Sequence, residues 1–205
     1  MRTSTKPWKP YIAPSMDCLV GVDAPLIVPP DIHRRDCDQD ISRVFGHREG
    51  SAHTANRSQP AFTKGGRALA LAASLHLSTD PVLPLTSPIR HMVEVYPHTA
   101  LLCLLGLDKT LKYKKKQGRT IANRIDQFRG VIQGIEALTD PPLKLAAFAH
   151  WTDLCNQITQ CKTQSGLDRA EDELDAYVCA YVAWYYWTHR LEHCHSLGTP
   201  LRAIS

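Results

Sequence analysis

CLVGVDAPLIVPP, residues 18–30, is the stretch on which the class of fold turns. Leu19, Val20 and Val22 make a short apolar run, and Gly21 inside it permits close approach of another backbone. Pro25 and the Pro29–Pro30 pair end the run, because proline has no donor for a sheet ladder. Asp23 is thereby placed at the carboxyl end of a buried strand, where open α/β sheets bind their ligands. A second stretch of the same kind, HMVEVYP at 91–97, sets Glu94 among Met92, Val93, Val95 and Tyr96. A carboxylate in such surroundings is costly unless it is protonated, paired or bound to a cation.

Outward from these two strands the pattern becomes helical. Residues 31–66 are polar, with a short helix expected over 36–44 and a long loop after it. Alanine- and leucine-rich sequence predicts a helix over about 66–76. From Pro97 a short buried helix runs to Gly106, which suits a C-terminal cap. Ile121, Ile125, Phe128, Ile132, Ile135 and Leu138 recur at three- and four-residue spacing and predict an amphipathic helix over 120–138. Further helices are expected over 143–159 and 169–193. Short apolar runs alternating with helical patterns imply a two- or three-layer α/β domain, with the last helix packed on the sheet. Residues 1–17 read as a loose leader, 18–195 as the domain and 196–205 as a tail.

Composition narrows the class. A chain of 205 residues can bury one real core. Its 43% hydrophobic and 21% charged content excludes disorder. A formal charge of +4 fits nucleic acid but equally an ordinary surface. Seven cysteines without a CxxC pair point to a reducing compartment, hence to the cytoplasm. The N-terminal sequence has no apolar core of a secretory leader. The apolar stretch Leu174–Trp187, 14 residues long, is too short to span a bilayer, so no membrane partner is expected. The chain has no GxSxG, P-loop or GxGxxG motif.

The chemistry-bearing residues are acidic. Asp172 and Asp175 are three apart on the last predicted helix, beside Glu171, where a polar start runs into an apolar stretch. Such a start also complements the helix dipole, the plain structural explanation. Asp23 and Glu94 on strands tip the balance towards a site. If the strands are neighbours and the helix crosses their ends, Asp23, Glu94, Asp172 and Asp175 form an all-oxygen set suited to Mg2+ or Mn2+ rather than zinc. Two such ions around a scissile phosphate would support phosphodiester hydrolysis, with the four acids as catalytic and metal-binding residues. The basic segment LKYKKKQGR at 111–119 offers Lys112, Lys114, Lys115, Lys116 and Arg119 to phosphate, and Arg34 and Arg35 are further candidate clamps. A solvated loop, or pairing with nearby acids, explains these cations equally well. His189, His193, Cys194 and His195 have the spacing of zinc ligands, but a polar helix end is the preferred reading.

GVDAPL (21–26), RRDCD (34–38), VEVYPHTA (93–100), LKYKK (111–115) and EDELDAYVCAYVA (171–183) resemble the successive motifs of the DUF429 family, over roughly residues 18–190. That resemblance implies a predicted nuclease of ribonuclease H-like fold, a mixed β-sheet flanked by helices with a metal-dependent acidic site. Asp23 and Glu94 match the acids of the family's two strand motifs, and Asp172 and Asp175 those of its C-terminal helix. The family's first strands, with an early aspartate, have no counterpart ahead of Gly21. The expectation is therefore a truncated gene product, a sequence with a mis-called start, or a divergent member; a chain that lacks those strands is expected to associate with copies of itself through an exposed sheet edge. Its expected activity is divalent-metal-dependent nuclease action on nucleic acid. The alternatives are a non-catalytic homologue that binds nucleic acid or protein, and a metal-dependent phosphatase of small molecules.

Overall fold

The computed structural model describes residues 12, 16–30, 33–64, 66–80 and 88–198. The leader and tail expected at 1–17 and 196–205 fall largely outside them. β1 (Cys18–Val22) and β2 (Arg90–Glu94) run parallel, with Cys18 opposite Arg90 and Val22 opposite Glu94. That register brings the carboxyl ends of both strands, and so Asp23 and Glu94, to the same end of the sheet. A parallel pair needs a long crossover. Here it contains α1 (Asp36–Phe45) and α2 (Arg67–Ser74). Ala68 and Ala72 of α2 pack with Leu26, Leu75, Leu77 and Met92 in a small core beside the sheet.

After β2, Pro97 occupies the first position of α3 (Pro97–Leu104), where its missing N–H is no loss. α4 (Ile121–Glu136) is capped by Thr120, whose hydroxyl accepts from the Asn123 N–H. α5 (Ala149–Gln160) and α6 (Gln164–His193) complete the chain order of described elements. The larger core lies among these helices, around Phe128, Val131, Trp151, Leu154, Leu167 and Leu174. α6 also lies across β1. Gly21 is the contact point: a Cβ there would fall inside the carbonyl of Cys179.

The ribonuclease H-like sheet is overturned. Of the described residues 53% are helical and 7% strand, and the sheet they form has only two strands. The physical reason is periodicity. Outside β1 and β2 the apolar residues recur at helical spacing, and the 31–66 region is too polar to supply a buried central strand. Nuclease and metal-binding terms that rest on that fold lose its support. A second correction concerns α6. It begins at Gln164, with Thr163 as its cap and no acid in its first turn. Glu171, Asp172 and Asp175 therefore lie beyond the reach of the helix dipole, which fades within a turn. Among the described residues no helix is long and apolar enough to cross a membrane.

Candidate functional site

A cleft of about 890 Å³ opens at the carboxyl end of the two strands. Its walls include Asp23, Arg35, Glu94, His98, Lys114 and Glu171. Its size lies within the usual range for small-ligand sites. The segment joining α3 to α4 delivers Lys112, Lys114, Lys115, Lys116 and Arg119 to the same cleft.

Asp175 comes from α6, almost wholly buried behind the wall of the cleft rather than lining it. The Tyr113 hydroxyl donates to its Oδ1 at 2.7 Å, and Lys114 Nζ lies 2.6 Å from its Oδ2. The same ammonium is 3.4 Å from Oδ2 of Asp23. Asp23 and Asp175 thus meet, but across a lysine. Burial raises the Asp175 carboxyl above the usual range, more than Lys114 and Tyr113 lower it. Burial works against the charge on Lys114, yet Asp175 and Asp23 more than reverse it and hold the amine above its ordinary value. The Tyr113 phenol is pushed well up by burial and by Asp175.

Glu94 has another partner. Arg35 grips it with two hydrogen bonds, 2.8 Å to Oε1 and 2.9 Å to Oε2, and the Leu26 N–H donates to Oε2 at 2.9 Å. The guanidinium also binds Asp38 at 2.6 and 3.0 Å. Burial disfavours its charge, but Asp38 and Glu94 overcome this. Arg35 is therefore a structural clamp as well as a wall of the cleft. Arg34 is spent on the fold, donating to the Ser42 hydroxyl at 2.6 Å and to the Ala52 carbonyl at 2.9 Å. Asp172 is exposed on α6 and does not line the cleft. Its neighbour Glu171 does, accepting from the Lys115 N–H at 3.0 Å and from Arg124 at 2.9 Å.

Arg124 organises this region and was not foreseen from the sequence. It is fully buried, donates to the Tyr113 carbonyl at 2.8 Å, and pairs with Asp168 at 2.8 Å as well as with Glu171. Its signal was an arginine one turn before Phe128 on the apolar stripe of α4. His98 was missed too. Its imidazole packs edge-on to Tyr113, with ring centroids 5.7 Å apart, and its buried Nε2 has no partner. Burial, together with the charges of Lys114, Lys112, Arg119 and His53, lowers its pKa to about 3.

Of the basic residues, Lys112 pairs with Glu49 and Lys115 with Asp168. Arg119 donates to the Lys114 carbonyl at 2.6 Å. Among the described residues, Lys116 and Arg119 have no carboxylate partner. As placed, the acids do not fit a resident divalent ion: among the described residues no group of three His, Cys, Asp or Glu is arranged to hold a metal. Asp23 and Asp175 already share an ammonium, and Glu94 a guanidinium. The histidines of α6 are no exception: His189 and His193 meet edge to face, ring centroids 5.1 Å apart, and His189 lies 3.3 Å from Asp140.

No curated protein and no solved structure matches the chain. One family model does, described as a protein of unknown function (DUF429), and it matches residues 9–198. That span includes both strands, the basic segment and α6, with every residue that lines the cleft, and on it the chain belongs to the DUF429 family.

Proposed function

We propose that the cleft binds a phosphate-bearing ligand, with single-stranded nucleic acid as the first candidate. One observation carries this reading: a single segment places Lys112, Lys114, Lys115, Lys116 and Arg119 around one opening. Clustered lysine and arginine neutralise phosphates and release counterions whatever the base sequence. Lys116 and Arg119, without carboxylate partners among the described residues, remain able to do so.

Fluorescence anisotropy with labelled DNA and RNA strands over a range of salt concentrations tests the reading. Binding should weaken steadily with salt, and the K116A/R119A pair should flatten the dependence by about 1–2 in log–log slope. Affinity that ignores salt, or a double variant that binds like wild type, would count against it.

Phosphodiester hydrolysis in the same cleft is the second reading. It is favoured by two carboxylates, Asp23 and Asp175, meeting around one cation at the cleft wall. Labelled DNA and RNA incubated with Mg2+ or Mn2+, and separately with EDTA, read both activity and metal dependence. Cleavage should disappear in D175A, and cleavage that survives there would assign the activity elsewhere. A strand bound but never cut leaves the binding reading alone.

A further inference from the structure

Asp23 and Asp175 approach each other from different elements, one just after β1 and the other from within α6. Two carboxylates so close repel unless a cation lies between them. Here the cation belongs to the chain. Lys114 Nζ stands 2.6 Å from Asp175 and 3.4 Å from Asp23. Tyr113 holds the other oxygen of Asp175, so both its oxygens are engaged by donors from two successive residues.

The lysine is built in rather than draped over the surface. Its side chain is only 21% exposed. Its carbonyl accepts from Arg119, and the following N–H is held by Glu171. Arg124 fixes the preceding carbonyl from below. An ammonium carries three donors. Two face Asp175 and Asp23, which leaves the third for an oxygen arriving in the cleft.

We propose that the Lys114 ammonium stands where a divalent ion would otherwise lie between Asp23 and Asp175, so that the cleft takes a phosphate-bearing ligand on lysine and without a metal cofactor. For its ligand this rests on the phosphate-binding reading. The competition between lysine and metal for two carboxylates does not. A divalent ion entering the site has either to expel a buried, paired ammonium or to sit a few ångströms from it, and like charges at that distance repel strongly inside a protein. Asp175, Asp23 and Glu171 all favour the charged amine, so mildly alkaline solution does not vacate the place.

Mn2+ binding by calorimetry, with thermal unfolding in parallel, tests this on wild type, K114M and K114M/D175N. Methionine keeps the length of the stem and removes the charge. K114M should bind Mn2+ at least about tenfold more tightly than wild type. The gain should vanish in K114M/D175N, and Mn2+ should raise the unfolding midpoint of K114M but not of wild type. Recovery of folded K114M only in the presence of Mn2+ would be the same result read through folding. If K114M does not fold under either condition, K114R keeps the charge and must bind Mn2+ no better than wild type. A tenfold gain in K114R overturns the inference, as does wild type binding Mn2+ as tightly as K114M.

The ligand half is read with a labelled oligodeoxynucleotide. Wild type should bind it equally well in EDTA and in Mn2+, and binding lost in EDTA would overturn the metal-free site. Wild type that binds no oligonucleotide under any condition sinks the phosphate reading, while the Mn2+ comparison still decides the role of Lys114.

Discussion

His98 concentrates the residue-scale chemistry of the cleft. Its Nε2 is buried and unpartnered, and an unsatisfied buried polar atom costs about 1–3 kcal/mol. Phenylalanine keeps the edge contact with Tyr113 and removes that cost. H98F is therefore expected to fold at least as stably as wild type in urea unfolding at neutral pH. The pH dependence carries a sign. A histidine whose folded pKa is lowered to about 3 binds fewer protons in the native state than in the unfolded one. Its contribution to stability is full above the ordinary histidine range and is lost as pH falls towards 3. Asp175 and Glu171, both raised by burial, run the other way at acid pH. The comparison is therefore between variants: the advantage of H98F over wild type should widen as pH drops from 7 to 4. A constant difference would mean that His98 is not held neutral by its surroundings.

At the scale of elements, two contacts hold the cleft walls together. α6 lies on β1 where Gly21 meets the Cys179 carbonyl. G21A should force strand and helix apart and cost about 1–3 kcal/mol, read as a lower urea midpoint at unchanged slope. An unchanged midpoint would show that the helix does not rest there. Arg124 joins α4 to the basic segment and to α6. R124M leaves Asp168 and Glu171 short of their buried partner and should cost about 3–5 kcal/mol. It should also weaken oligonucleotide binding, because Tyr113 and Lys114 lose the support beneath them. A variant of wild-type stability would assign Arg124 no organising role.

At the scale of the molecule, the two-stranded sheet leaves an edge. Cys18 donates towards β2 through Ile89 and Val22 accepts from Val95, so by alternation the backbone groups of Leu19 and Gly21 face away from β2. Among the described residues no strand pairs on that side. An unpaired edge is a template for another chain. Wild type is expected to self-associate with rising concentration in light scattering, and L19P, which removes one outward donor, should remain closer to a monomer. Equal association by both would place the contact elsewhere.

The local elements were legible in the sequence because local rules make them. Proline follows β1 and β2 as expected, apolar residues at three- and four-residue spacing marked α4, and an acidic start running into an apolar stretch marked α6. Asp23 and Glu94 were picked out because a carboxylate beside an apolar strand is costly without a partner. The identity of the partner was not legible, since it depends on which segments meet. Lys114 is 91 residues from Asp23, and Arg35 is 59 from Glu94. Nothing in the local pattern distinguishes an acid awaiting a metal from one already holding an ammonium. Asp172 and Asp175 looked alike for the same reason. Three residues of helix turn one to solvent and the other to the core, and only the position of α6 against β1 decides which. The sheet was misjudged because a family motif specifies a strand but not how many others join it. By itself the sequence determined the two strands, the succession of helices and the residues that need partners. The tertiary structure alone decided the number of strands and gave each of those charges its counter-charge, because both are set by contacts between segments far apart in the chain.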